Sequence, residues 1–463
     1  MSPLATTPSA TVTGPPTPVP APTTASPRGS ATYYGPDFGA LVHTDPQIAA
    51  LLLDELQRQR DTLQLIASEN PASPAVLAVL GSVLSNKYAE GYPGHRYYGG
   101  CAQVDAAERL GIARARALFG AEHANIQPHS GASANLAVYA ALLVPGDRVL
   151  AMALPHGGHL THGAQGNFSG TWFDTAGYPV DEDTELIDYD RVRDLARSHK
   201  PKLIVCGATA YSRPIDYAAF RSIADEVGAY LMADAAHIAG LVAAGALPSP
   251  VPYADVVTFT THKTLRGPRG GAILCRTELA SAIDRAVFPF AQGGPLMHAV
   301  AAKAVAFAEA QKPEFRAYGH QVVENARTLA AALARQGLRP VSGGTDTHMA
   351  ILDLRSLPGA RVSGRDAELR CERARIMLNR SCIPYDSAKP MITSGVRVGT
   401  AAVTTQGMGE AEMELIAEMV ARAVQDVDGR AALEIAEEAA ALTARFPLYD
   451  RAQHERSPQE PRD

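Results

Sequence analysis

Between residues 102 and 276 the chain alternates short β-branched apolar runs with amphipathic stretches of helical period, a pattern that few architectures accept. Ala102–Phe119, 133–143, 190–198 and Tyr217–Val227 read as helices, and 148–154, 202–207, 229–233, Val256–Thr260 and 271–276 as strands. Strands separated by helices need crossover connections, so the expected fold is α/β with a mostly parallel sheet covered on both faces. Sheets of this kind bind ligands beyond the carboxyl ends of their strands. The strand ends are therefore where chemistry is sought.

One run, Val256–Thr260, leads straight into Thr261, His262 and Lys263 before the chain breaks at Gly267 and Pro268. A lone lysine is usually a solvated surface charge. At the end of an apolar strand, desolvation lowers its pKa and makes the amine nucleophilic, with Thr260 and His262 placed to orient it. An earlier run ends at Asp234, with His237 three residues on. A strand-end aspartate is often only a helix cap. Together, the amine and the carboxylate are what pyridoxal phosphate requires of a protein: a Schiff-base lysine and a partner for the pyridinium nitrogen.

Other stretches fit around that pair. Ser130, Gly131 and Ala132 precede a helix, where small residues and the helix N-terminus favour an anion, although an ordinary cap looks the same. Gln292, Gly293 and Gly294 form a second glycine-rich turn. The segment 88–100 holds Tyr88, Tyr92, Tyr97 and Tyr98 together with Glu90. It reads as a binding loop, a subunit interface, or both, with Glu90 a candidate general acid or base and the tyrosines able to stack on a flat ligand. His156, His159 and His162 lie among glycines: a metal cluster, or a loop holding one imidazole against a ring. Arg397 sits among apolar residues, as the fork for a substrate carboxylate or as half of a structural salt bridge.

Composition narrows the class. The 463 residues are 46% hydrophobic and 19% charged, with a net charge of -6, which suits a soluble globular protein and argues against nucleic-acid binding. No apolar run approaches the ~18 residues of a membrane span. The five cysteines are scattered without a CxxC pair, against a disulfide framework or zinc site and in keeping with a reducing cytoplasm. Residues 1–32, rich in Pro, Thr and Ala, are expected to be a disordered tail without the features of a signal peptide. The expected organisation continues with a helical arm at 33–70, a large domain at 71–315, a smaller α+β domain at 316–450 and a flexible end at 451–463. A helical region at 296–336 leads into the smaller domain, where strands are expected at 349–354 and 396–399 and helices over 409–445.

Longer motifs carry a family resemblance. Leu65-Ile66-Ala67-Ser68-Glu69-Asn70, Asn86-Lys87-Tyr88-Ala89-Glu90-Gly91-Tyr92-Pro93-Gly94, the histidine loop from His156 to Gly163, Ala236–Gly245, the Lys263 run and Gly407-Met408-Gly409-Glu410 resemble serine hydroxymethyltransferase over about residues 40 to 445. The resemblance implies a fold-type I pyridoxal-phosphate enzyme, a homodimer or dimer of dimers, that moves the serine hydroxymethyl group to tetrahydrofolate. It implies that Lys263 carries the cofactor, Asp234 pairs with the ring nitrogen and His159 stacks on the ring. Ser130, Gly131, Ala132 and Gln292 would contact the phosphate, with Gly293 and Gly294 from the neighbouring subunit. Tyr88 and Thr209 would join the cofactor site. Ser68, His237 and Arg397 would clamp substrate and cofactor, with Arg397 on the carboxylate. Glu90 and Tyr98 would cross the dimer interface to the reacting group. Leu154, Gly158, Leu160, Tyr97 and Ser381 would wall the folate site; no metal is implied. Phe259, Ala235, Ser381 and Ala132 depart from the family's usual residues. The alternative is a related transferase or aldolase acting on α-methylserine or another β-hydroxy amino acid, with altered folate dependence.

Overall fold

The computed structural model describes residues 37–357 and 362–449; the expected tails at 1–32 and 451–463 lie outside the described residues. The arm contains helices Phe38–Thr44 and Pro46–Asp61. Gln59–Tyr449 form one compact unit.

Its central sheet has seven strands: β1 (His123–Asn125), β2 (Arg148–Met152), β3 (Asp174–Tyr178), β4 (Leu203–Gly207), β5 (Tyr230–Asp234), β6 (Val256–Thr260) and β7 (Gly271–Cys275). Their spatial order is β1-β7-β6-β5-β4-β2-β3. β7 runs antiparallel to β6 and β1, and all other pairs are parallel. The mostly parallel sheet is as expected, with strand ends shifted by a residue or two. β1 and β3 escape the sequence pattern. β1 has three residues, and β3 is an edge strand that packs on one neighbour and carries few large apolar side chains.

Side-chain alternation explains how the sheet is covered. Leu231 and Ala233 of β5, and Val257 and Phe259 of β6, enter a core with Phe220, Phe307 and Phe315. These come from α4 (Tyr217–Val227), α5 (Met297–Ala310) and α6 (Pro313–Arg335), numbered after α1 (Ala102–Phe119), α2 (Gly131–Leu142) and α3 (Tyr189–His199). Met232 and Val256 enter the opposite core, against Ala134, Val138 and Tyr139 of α2. By the same two-residue period, Asp234, Thr258 and Thr260 face α2. The strands are buried on both faces, which is why they read as continuous apolar runs.

The helical region at 296–336 is not continuous. α5 ends at Ala310, Lys312 is extended, and Pro313 starts α6 at a position where its missing N–H costs nothing. α6 then serves two cores: Phe315 and Val322 pack on the large sheet, Leu329 and Leu333 on a second one. That second sheet is antiparallel: β8 (Arg339–Pro340), β9 (Met349–Asp353), β10 (Asn379–Ser381) and β11 (Gly395–Gly399) in the order β8-β9-β11-β10. It is backed by α7 (Gly364–Arg373), α8 (Glu410–Gln425) and α9 (Ala432–Arg445). Val396 and Val398 point into that core, so Arg397 between them points the other way.

Candidate active site

The ends of β1, β2, β4, β5 and β6 lie on one edge of the sheet, and each leads into a residue of interest. Asp234 is the last residue of β5. Its Oδ2 accepts hydrogen bonds from Asn135 Nδ2 of α2 and from His162 Nε2, both at 2.9 Å. Its Oδ1 accepts from the Ala236 amide at 3.0 Å. The His162 tautomer follows: its Nδ1 accepts from the His159 amide, so Nε2 carries the proton. Burial alone would raise the Asp234 pKa. The His162 and Asn135 hydrogen bonds, with the nearby imidazoles, overcome that and hold it below the usual carboxylate range. An ionised carboxylate has about four acceptor positions. Three are occupied, which leaves one for a protonated ring nitrogen.

Lys263 lies three residues beyond β6. Among the described residues, none forms a hydrogen bond or ion pair with its amine. Burial, aided by the charges of Arg397 and Arg269, pushes its pKa down to about 8 against the pull of Asp234. Its carbonyl accepts from Asn70 Nδ2 at 2.9 Å, and Asn70 in turn accepts from Thr405. The backbone at Lys263 is thus clamped while the amine stays available. Thr260 donates to the Ala236 carbonyl, joining the ends of β5 and β6. His262 accepts a long 3.4 Å bond from the Gly270 amide, and burial with nearby cations pushes its pKa down to about 3. It is neutral near pH 7, which suits an orienting group better than an acid.

Ser130 caps α2 in a reciprocal capping box with Ser133. This occupies the Ser130 amide and leaves the first-turn amides of Gly131 and Ala132 facing outward. A side chain at Gly131 would lie 2.7 Å from Thr260 Cγ2, so only glycine lets this turn close on β6. Gln292 fixes the approach: its Oε1 accepts from the His129 amide and its Nε2 donates to the Gln127 carbonyl. The Ser130-Gly131-Ala132 turn, with free amides at a helix N-terminus, could cradle an anion.

The histidine loop follows β2. A Cβ at Gly158 would stand 2.1 Å from the Met152 carbonyl, and Gly157 has φ +111. The loop therefore folds back only with glycines. His159 Nδ1 accepts from the Thr161 amide, so its ring proton is on Nε2; burial pushes its pKa down to about 4. The His159, His162 and Asp234 ligand atoms lie within 4.8 Å of one another. The Asp234 oxygen and both His162 nitrogens are already hydrogen-bonded, which suits a carboxylate facing a ring better than a metal.

Arg397 is 7% exposed and burial pushes it down to about 10. Its Nη1 donates to the Thr209 carbonyl at 2.7 Å and its Nε to Asn379 Oδ1 at 3.2 Å. Among the described residues no carboxylate pairs with it, so the structural salt bridge is ruled out and N–H groups remain for an acid. Thr209 is tied by its amide to the Gly157 carbonyl, linking arginine and histidine loop. Ser68 follows Ala67, which presses against Gly399 two residues from Arg397. His237 is buried, held well below its usual pKa by burial and the Lys263 and Arg397 charges, and its Nδ1 meets His348 Nε2 at 3.3 Å.

A second group of candidates gathers around the 88–98 and 288–294 segments. The Tyr88 and Tyr98 rings are 5.0 Å apart, and Tyr97 packs on Phe288. Gly293 lies against Glu90 and Gly294 against the Tyr88 ring. Among the described residues, no hydrogen bond, ion pair or ring contact joins Tyr88, Glu90, Tyr97 or Tyr98 to Lys263 or Asp234. Arg96 anchors this loop by donating to the Ala89 and Gly91 carbonyls on either side of Glu90 and pairing with buried Asp105 and Glu108. Leu154 and Leu160 are exposed beside the histidine loop. Ser381 is half-buried on β10 and donates to the Cys382 carbonyl.

The serine hydroxymethyltransferase family model matches residues 41–420. The chain is 57% identical over 424 residues to the serine hydroxymethyltransferase of Synechococcus sp. (strain JA-3-3Ab), covering 89% of this chain and 98% of that protein. It is 56% identical over 411 residues to serine hydroxymethyltransferase 1 of Pseudomonas fluorescens (strain Pf0-1), covering 89% of this chain and 99% of that one. The chain belongs to the serine hydroxymethyltransferase family. This family of fold-type I enzymes depends on pyridoxal phosphate and uses tetrahydrofolate as co-substrate.

The departures from the serine hydroxymethyltransferase pattern have physical readings. Phe259 turns away from the site into the large core, its ring 4.9 Å from Phe119, so it does not touch the substrate side. Ala235 is buried with it in that core. Ala132 leaves the cradle amides intact. The residues present fit the family cofactor: an available amine, a carboxylate with one acceptor position open, and an anion cradle. A consequence is kinetic. The neutral amine is the nucleophile, so capture of pyridoxal phosphate by cofactor-free protein should speed up through about pH 8 and then level off. Stopped-flow absorbance checks this; a rate still climbing at pH 10 would indicate an ordinary lysine.

Proposed function

We propose that this chain catalyses the reversible transfer of the serine hydroxymethyl group to tetrahydrofolate, giving glycine and 5,10-methylenetetrahydrofolate, with pyridoxal phosphate carried on Lys263. The observation that carries the reading is the partnerless Lys263 amine beside the Asp234 carboxylate in a chain of this family. When bound, the cofactor supplies an electron-poor ring that accepts the electrons of the bond being broken. Asp234 keeps the ring nitrogen protonated. His159 stacks on the ring, and Ser130, Gly131 and Ala132 hold the phosphate. Arg397 grips the substrate carboxylate with the N–H groups left over from Thr209 and Asn379, and Ser68 and His237 complete that clamp. Fixing the carboxylate fixes which bond stands perpendicular to the ring, so orientation selects the reaction.

Glu90 holds and returns the hydroxyl proton with Tyr98 at the reacting group, and Tyr88 joins the cofactor site. We place these residues, with Gly293 and Gly294, in the site of a second copy, making a homodimer or a dimer of dimers. Support comes from the lack of any hydrogen bond, ion pair or ring contact between them and Lys263 among the described residues and from the exposure of Tyr97, Tyr98, Phe290 and Leu296 on one chain. Leu154, Gly158, Leu160, Tyr97 and Ser381 wall the folate site. Among the described residues no helix is long and apolar enough to cross a membrane. We place the enzyme in the cytoplasm, where its five free cysteines stay reduced.

The test is glycine formation from serine with and without tetrahydrofolate, alongside α-methylserine and allothreonine. Serine should be the favoured donor, and tetrahydrofolate should accelerate its conversion by at least about tenfold, or 1.4 kcal/mol. Folate-independent turnover, or a preference for α-methylserine, would replace this reading with the alternative.

A further inference from the structure

Lys303 lies in the middle of α5, among alanines, valine and phenylalanine, and is 1% exposed. Its ammonium donates to three carbonyls: Ile126 at 2.7 Å, Pro128 at 2.9 Å and Gly271 at 2.9 Å. Among the described residues no carboxylate contacts it. The nearest acidic group acting on it, Glu108, has its oxygens taken by Arg96 and Gln127. A buried cation held only by carbonyls is costly unless an anion lies near.

The phosphate cradle is that near place. The three carbonyls belong to the two segments that form its back wall. Ile126 and Pro128 lead directly into Ser130 and Gly131. Gly271 lies between: its carbonyl accepts from Lys303, and a Cβ on its other side would stand 2.3 Å from the Ser130 carbonyl and 3.0 Å from the Gly131 amide. One glycine thus separates the ammonium from the amides that face the anion. By turning the Ile126 and Pro128 carbonyls inward, Lys303 also fixes the course of the chain into the cradle.

We infer that Lys303 is a positioning residue for the cofactor phosphate, and that its charge, acting through Gly271, adds affinity for the phosphate specifically. Burial lowers its pKa to about 7, as expected for a cation whose stabilising anion is the ligand. The inference rests on the proposed cofactor site.

Binding separates the two. Cofactor-free wild type, Lys303→Met and Lys303→Gln are titrated with pyridoxal phosphate and with unphosphorylated pyridoxal, following bound aldehyde by visible absorbance and folding by circular dichroism. Lys303→Gln keeps two donors for the carbonyls, so it reports if the methionine variant fails to fold. Without the charge, the preference for the phosphorylated aldehyde should fall on the order of tenfold, with pyridoxal affinity nearly unchanged. Equal weakening of both ligands would mean a structural role alone and overturn the inference, as would an unchanged ratio. A wild-type chain that binds neither aldehyde would overturn the site reading and this inference with it.

Discussion

Lys263→Ala should lower turnover of serine by at least about a thousandfold while the protein remains folded. The geometry separates the two effects. The Lys263 amine has no hydrogen bond or ion pair among the described residues, so alanine breaks none. Its peptide stays clamped, because Asn70 binds the carbonyl rather than the side chain. Burial lowers the amine's pKa in the folded chain, so its charge opposes folding at any pH below its ordinary value of 10.5. Removing it should leave the melting temperature of the cofactor-free protein unchanged or slightly raised. Turnover and thermal melting on one preparation check both halves. Loss of activity with a large drop in melting temperature would assign Lys263 a structural part.

Asp234→Asn should cost at least about a hundredfold in turnover and weaken cofactor binding, again with a folded chain. The amide keeps the volume but has one acceptor oxygen. If that oxygen serves His162 and Asn135, the NH2 group faces the Ala236 amide and the ring nitrogen. If it serves those two, the NH2 faces two donors instead. Either way a donor meets a donor, and the charge that held the ring nitrogen protonated is gone. The ratio of kcat between wild type and variant, with cofactor affinity measured separately, reads the effect. A variant with near-native kcat would remove Asp234 from its assigned role.

Strand ends were legible because a sheet buried on both faces demands continuous β-branched runs, and such runs are rare elsewhere. Asp234 and Lys263 stood out as polar groups closing apolar strands, and the structure puts both on one edge of the sheet. Arg397 was legible as an arginine flanked by valines, a pattern that sends it to the face opposite the core. The supports of these groups were harder to read. Asn135 and Asp234 are 99 residues apart, and only the crossover topology brings α2 over the end of β5. His162 was visible as a histidine, but its part depends on a tautomer set by the His159 amide. Lys303 resembled any helical lysine; the apolar residues on both sides of it were the available signal. The helix break at Pro313 was written in the sequence, yet the helical period on either side of it masked the boundary. The tyrosine-rich segment, expected as a binding loop, a subunit interface or both, contains a short hairpin in which Gly91–Tyr92 pairs with His95–Arg96, and two-residue strands around Pro93-Gly94 are too short to show as a strand pattern.

Everything proposed for this site depends on one amine, that of Lys263, carrying the cofactor. Borohydride reduction of the holoenzyme followed by peptide mass spectrometry tests it most directly. A single phosphopyridoxyl group is expected on the peptide containing Lys263 and none on Lys303 or any surface lysine. A group fixed on another lysine, or no stable adduct on a fully active protein, would contradict it.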